Sequence, residues 1–255
     1  MKVSTILRNR KIASLLAILI WIAIWQVASI RIGEEMLLAS PAAVLKTLWS
    51  LIFTTEFWKN IVFSLSRIIT GFAGAFVISI PLAALAYRFK FIEIFLNPLM
   101  AAAKAAPVAS YIILFLLFFS SGILSLVTAL TMAIPMLYAN ILQGLSATDK
   151  KLLEMAKVFH MPKRRTIVYV YISELMPFII SACSVALGYS WKAAIAAEVI
   201  ALPLGSIGEQ IYQAKIFLDT KTLLAWTLVL VCISFALEKL ILIFLKSLTS
   251  NIERS

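Results

Sequence analysis

The sequence predicts an all-α, polytopic membrane protein with about six transmembrane helices and with both termini in the cytoplasm. Hydrophobic residues make up 62% of the 255 residues, and the mean hydropathy is +1.00. Apolar runs long enough to cross a bilayer recur along the chain. The net charge of +11 is concentrated in the short segments between those runs, so we expect membrane lipid and not nucleic acid as the partner of the cations.

The N-terminal region predicts a cytoplasmic segment and a first membrane helix within residues 1–40. Its apolar run, 12–30, is longer than the core of a signal peptide, and no small-residue cleavage pattern follows before Arg31. Ser40 and Pro41 then have the residue types of a helix N-cap and first position. The next apolar residues recur at helical spacing and predict a helix along the outer surface: Val44, Leu45, Leu48, Leu51 and Ile52.

The remaining membrane spans fall in one domain, residues 41–250. Apolar runs predict the spans at 61–87, 91–119, 123–142, 166–197 and 223–245. The third of the six spans contains Pro98 and Pro107. An irregular stretch with Pro203, Gly205 and Gly208 is expected between the last two spans.

The distribution of Lys and Arg predicts the orientation of these spans. Fourteen of the 23 cations lie at the two termini, in the loop at 88–90 and in the segment 146–165, whereas five lie on the opposite side. Cytoplasmic loops are enriched in Lys and Arg. We therefore expect the termini and the segment 146–165 in the cytoplasm.

The segment 146–165 is a polar island with six Lys and Arg residues. Ser146 and Asp149 fit a helix capping signature, and Pro162 is expected to end one short helix and start the next. Within the first helix an apolar stripe is expected from Leu152, Leu153, Ala156 and Phe159. Two interpretations stay open on physical grounds: a docking surface for a cytoplasmic partner, or a basic loop that contacts anionic lipid headgroups.

The island resembles the EAA loop of importer-type ABC permeases. Glu154 and Ala156 match the Glu-Ala-Ala consensus, and Met155 replaces the first Ala. His160 stands where that family has Gly, at a position where a residue other than Gly is less free to take a positive φ. His is nevertheless among the residue types that tolerate this conformation better than most. Pro177 is a loose counterpart of the closing Pro.

Further fragments are similar to the nitrate, sulfonate and taurine type branch of that family. They are Ser40–Val44, Ser64–Arg67, Asn97-Pro98 with Lys104 and Pro107, Ala186–Gly188, and Ala197-Glu198 with Gly205 and Gly208. The resemblance implies a multi-pass permease of the bacterial cytoplasmic (inner) membrane that works with a second permease copy, a homodimer being expected. It also implies an extracytoplasmic substrate-binding protein and two ATP-binding cassette ATPase subunits. The implied coupling residues are Leu152, Leu153, Glu154, Ala156, Phe159 and His160.

Four charged residues at membrane depth are candidates for the translocation pathway: Arg67, Lys104, Lys192 and Glu198. Ionisable groups in membrane spans are costly and usually face protein or water. Lys104 and Lys192 are the natural attractors for an anion, whereas Glu198 is expected to pair structurally. Arg67 lies near the end of its span, where its side chain could reach the interface or pair with a carboxylate.

The remaining function classes can be weighed from the same residues. The single histidine, His160, lies in the island, and no zinc-protease or nucleophile-elbow motif occurs, so we expect no catalytic site, cofactor or metal. No phosphate-binding loop occurs either, which would put ATP hydrolysis on another subunit. We expect a small organic or inorganic anion as substrate. The alternatives are a vitamin or pyrimidine precursor, or an ion-coupled secondary transporter.

Overall fold

The computed structural model describes residues 10–254, which fold into helices and contain no strand. The charged residues before Arg10, on which part of the orientation prediction depends, lie outside this range. The helices are α1 Arg10–Ile32, α2 Pro41–Ile52, α3 Thr55–Arg88, α4 Lys90–Ala105, α5 Val108–Leu116, α6 Ser121–Ala147, α7 Lys150–Val158, α8 Lys163–Thr166, α9 Ser173–Ala201, α10 Ile207–Ile216 and α11 Thr220–Arg254. A π-helical segment, Ile167–Ile172, joins α8 to α9 without a break.

Five of the described helical stretches are long and apolar enough to cross a membrane, or six if one bent pair is counted as a span. That pair is α4 and α5, which meet at an angle of 99°. The predicted third span over 91–119 is therefore bent and consists of two helices. The bend lies at Pro107, which has no N–H to continue the helix and which forces Ala106 into an extended conformation.

The first two helices follow the sequence prediction closely. Ser40 caps α2 by accepting a hydrogen bond from the Ala43 N–H at 3.2 Å, and Pro41 is the first helical residue. Near the end of α1, Trp25 donates from Nε1 to the Ala39 carbonyl at 3.0 Å. Leu45 of the predicted apolar stripe is exposed, whereas Val44 is buried. The buried face of α2 therefore does not include Leu45.

The core lies where α6 packs between α3 and α9. Buried side chains from the three helices meet there, including Phe72 of α3, Leu137 of α6 and Ile179 of α9. Close packing of apolar side chains, rather than hydrophobicity alone, holds helices together once they are in lipid. These three helices therefore form the frame on which the charged side chains are positioned.

The stretch between the last two spans contains a helix that the sequence interpretation missed. The helix α9 ends at Ala201 and is capped by Leu202, which has a positive φ of 51°, and α10 begins after Ser206. The Ser206 hydroxyl accepts from the Glu209 N–H at 3.0 Å, and the Glu209 carboxylate accepts from the Gly205 N–H at 2.6 Å. Ser206 and Glu209 have the S-x-x-E spacing of a helix start. The predicted irregular stretch is therefore confirmed for 202–206, with Pro203 and Gly205, and is wrong from Ile207 onward, where Gly208 lies in a helix.

Candidate functional site

The polar island forms the short helix α7, which stands between two membrane spans. Its N-cap is Asp149, whose carboxylate accepts a hydrogen bond from the Lys151 N–H at 2.9 Å. Ser146 lies in the last turn of α6, and its hydroxyl donates to the Leu142 carbonyl at 2.8 Å. Ser146 is thus not the N-cap of α7, contrary to the sequence prediction, and the N-cap lies three residues later, at Asp149.

The C-terminus of α7 is a Schellman motif with His160 at the left-handed position. The His160 φ is 49°. The His160 N–H donates to the Lys157 carbonyl at 3.0 Å, and the Met161 N–H donates to the Ala156 carbonyl at 2.9 Å. His160 therefore adopts the conformation for which the resembling family uses Gly, and the turn keeps its geometry. Pro162 follows and directly precedes α8.

The apolar residues of α7 divide between two faces. Ala156 is 3% exposed and faces the rest of the chain, whereas Val158 and Phe159 are each 74% exposed, and Met155 is also exposed. Leu152 and Leu153 are intermediate. The predicted single stripe is therefore wrong in its composition, because Ala156 supports the helix from within while Phe159 points outward. The outward face, formed by Met155, Val158 and Phe159, is the part of the island available to a partner.

Glu154 lies beside this outward face. Its side chain is exposed and has no hydrogen bond or ion pair within residues 10–254. A carboxylate with no internal partner is free to pair with a cation on another protein. The C-terminal part of the island continues into the membrane, since α8, the π-helical segment and α9 form one continuous stretch, Lys163–Ala201. The helix α7 precedes this stretch and is joined to it through the turn at 159–162.

Glu198 is a buried hydrogen-bond acceptor near the C-terminal end of α9. The residue is fully buried, and its Oε2 accepts from the Ser64 hydroxyl at 2.7 Å and from the Gly208 N–H at 3.3 Å. The Ser64 hydroxyl in turn accepts from the Ile207 N–H at 3.0 Å. One carboxylate thus ties α9 to α3 and to the start of α10. This arrangement agrees with a structural role for Glu198.

Arg67 is likewise engaged within the chain. Its Nε donates to the Gly122 carbonyl at the start of α6, and its guanidinium lies 3.5 Å from the centroid of the Phe63 ring. A guanidinium over an aromatic face and hydrogen-bonded to a carbonyl is stabilised without a carboxylate. Arg67 therefore links α3 to α6.

Lys104 and Lys192 differ from these two because both are exposed and lack a hydrogen-bond or ion-pair partner in the described part of the chain. Lys104 lies in the last turn of α4, just before the bend. Lys192 lines a cleft of about 480 Å³ between α9 and α11. Glu238 lines the same cleft and accepts a hydrogen bond from Ser184.

The structure brings Lys192 together with Glu238 and not with Glu198. Glu238 was missing from the predicted site, although a carboxylate in the middle of an apolar run is a signal that could have identified it. Lys192 and Glu198 lie on the same helix, but Glu198 is turned into the packed interior. Of the four candidate pathway residues, the two lysines are the ones that the fold leaves accessible.

Comparison with known proteins identifies the family of the chain. Residues 75–254 match the family described as binding-protein-dependent transport system inner membrane component. A putative aliphatic sulfonates transport permease of Bacillus subtilis is 28% identical over 207 residues, which cover 80% of this chain and 74% of that protein.

Two other relatives extend the match along the chain. The taurine transport system permease of Escherichia coli is 25% identical over 220 residues, 84% of this chain and 80% of that protein. The riboflavin transport system permease of Chloroflexus aurantiacus is 26% identical over 234 residues, which cover 88% of this chain and 87% of that protein. All three are transport permeases by name, and none is an enzyme. The chain therefore belongs to the binding-protein-dependent ABC importer permeases, as a multi-pass inner-membrane subunit of the nitrate, sulfonate and taurine type branch.

Proposed function

We propose that this subunit pairs with a second copy of itself and imports a small anion that a substrate-binding protein delivers. Two ATPase subunits supply the energy through α7. The observation that carries the proposal is the outward face of α7, where Val158 and Phe159 are each 74% exposed next to the unpaired Glu154. Exposed apolar side chains beside a free charge are the usual elements of a protein docking surface.

The direction of coupling follows from the continuity of the chain. Lys163–Ala201 is one helical stretch, so a push on α7 that passes through the turn at 159–162 would tilt the whole span. The π-helical segment Ile167–Ile172 lies near the N-terminal end of that stretch. Such segments often occur at functional sites in helices. Movement of the span would then open or close the pathway between the two permease copies.

The charge reversal Glu154→Arg tests the docking. It places a cation where the proposal requires an anion, so we expect recovery of the ATPase with the permease and ATP-dependent uptake to fall at least roughly tenfold, about 1.4 kcal/mol. Membrane insertion should not change. Co-purification and uptake into proteoliposomes are the measurements.

A matched control is Glu34→Arg, which reverses an exposed carboxylate in the loop after α1. It should leave assembly and uptake intact. Normal assembly and uptake in Glu154→Arg would contradict the proposed role of α7. Uptake that follows an ion gradient and not ATP would instead favour a secondary transporter.

The proposed substrate class is a small anion such as a sulfonate. The names of the sulfonate and taurine permeases support it, as do the accessible lysines Lys104 and Lys192. One related permease is named for the transport of riboflavin, a vitamin, and not for that of a sulfonate. Identifying the ligand that purifies with the cognate binding protein would decide between an anion and a vitamin.

A further inference from the structure

A cavity of about 700 Å³ lies between α7 and the beginning of the following membrane span. Its apolar wall is formed by Leu153 and Met161 on the island side and by Ile167 and Tyr171 on the span side. The Tyr171 ring also packs edge to face against Tyr87 of α3, with the ring centroids 6.3 Å apart. The cavity therefore lies at the N-terminal end of the helical stretch that contains the next span. Tyrosine is a residue type enriched at membrane–water interfaces.

The polar part of this cavity is cationic. Lys157, His160 and Lys163 line it, and no carboxylate does. All three side chains are exposed, and neither lysine has an ion pair or a hydrogen-bond partner among the residues that the structure describes. Two unpaired ammonium groups beside an imidazole ring form a site for an anion.

The turn after α7 creates this arrangement. The left-handed His160 reverses the chain direction, so that Lys157 at the end of α7 and Lys163 at the start of α8 line the same cavity. The outward face of α7, formed by Met155, Val158 and Phe159, does not line the cavity. A ligand in the cavity and a protein on the outward face could consequently bind at the same time.

We propose that the cavity binds the headgroup and upper acyl chain of an anionic phospholipid. The ligand must be both anionic and apolar, because cations line one part of the cavity and aliphatic or aromatic groups line the rest. A lipid at the end of a membrane span has this combination, and each Lys near an anionic lipid surface contributes about 1 kcal/mol. The bound lipid would brace α7 against its span.

Lipid retention by the full-length chain tests this inference. The protein is reconstituted into phosphatidylcholine nanodiscs with or without phosphatidylglycerol, extracted into detergent, and analysed by native mass spectrometry for bound phosphatidylglycerol. The double variant Lys157→Gln, Lys163→Gln removes both ammonium groups, and we expect its phosphatidylglycerol retention to fall roughly 30-fold. The matched control Lys150→Gln, Lys151→Gln removes the same charge from the same island outside the cavity, and it should retain the lipid as the unchanged protein does.

Protection of Lys157 and Lys163 from an amine-acylating reagent provides a second measurement that does not depend on extraction. Protection that requires phosphatidylglycerol supports the inference. Equal lipid retention in the double variant and its control would overturn it, because the attraction would then be diffuse. Equal protection by inorganic phosphate in phosphatidylcholine would indicate a soluble anion, and protection only on addition of the ATPase would indicate a protein partner. Either result would also overturn it.

Discussion

His160 has a backbone conformation that is costly for any residue with a Cβ. Its φ of 49° completes the Schellman motif, so the amide hydrogen bonds of the turn depend on it. Gly reaches this region without steric cost, whereas an L residue pays of the order of 1 kcal/mol. The imidazole lines the cavity beside Lys157, which gives a reason for the chain to tolerate the cost.

We expect His160→Gly to leave the turn intact and to raise its stability by up to about 1 kcal/mol. His160→Ala is the control, because it removes the imidazole but keeps the Cβ and hence the strain. Hydrogen exchange of the His160 and Met161 amides is the measurement. The glycine variant should exchange no faster than the unchanged protein, and slower than the alanine variant. Faster exchange in the glycine variant would show that the side chain, and not the backbone, holds the turn.

At the scale of elements, most helices could be predicted because their cause is local. Apolar runs predicted the spans, and Ser40 and Pro41 predicted the start of α2. The 99° bend at Pro107 could not be predicted in the same way. The sequence shows that a helix is interrupted there, but the angle depends on what the two halves pack against. The helix α10 was missed although Ser206 and Glu209 carry its local signal.

The packing of α10 on α9 depends on the absence of a side chain at Gly208. A Cβ at this position would lie 2.3 Å from the Glu198 Cβ and 2.6 Å from the Val199 backbone nitrogen. We therefore expect Gly208→Ala to separate the two helices and to cost about 1–3 kcal/mol, as overpacking does elsewhere. It would also weaken the hydrogen bond from the Gly208 N–H to Glu198.

Gly188→Ala is the matched control, because a Cβ there would meet no atom within 4 Å. In the interior of α9 this change should be neutral or slightly stabilising. Thermal unfolding of the two variants in the same detergent, followed by size-exclusion chromatography, is the measurement. Equal unfolding midpoints for Gly208→Ala and the unchanged protein would show that the contact between α9 and α10 can accommodate a Cβ at position 208.

At the scale of the whole molecule, the intramembrane charges separate into two groups. Glu198 and Arg67 find hydrogen-bond partners inside the chain, through Ser64, Gly208 and Gly122. Lys192 has no such partner among the residues that the structure describes, and it lies on the surface of the helical bundle. The sequence could identify all three as charged residues in spans. It also predicted that Glu198 pairs structurally, but it could not identify the partners of Glu198 and Arg67, since these are more than fifty residues away along the chain or on the next helix.

Lys192 is therefore the residue at which the molecule as a whole should recognise an anion. An unpaired ammonium at membrane depth is costly in lipid, so its face must meet protein or water in the assembled transporter. We expect Lys192→Ala to lower uptake of the cognate anion roughly fivefold, about 1 kcal/mol, and Lys192→Arg to keep most of it. Lys46→Ala, on the exposed side of α2, should have no effect. Initial uptake rates at subsaturating substrate, at equal amounts of assembled complex, are the measurement. Full uptake in Lys192→Ala, or an equal loss in Lys192→Arg, would remove this charge from the pathway.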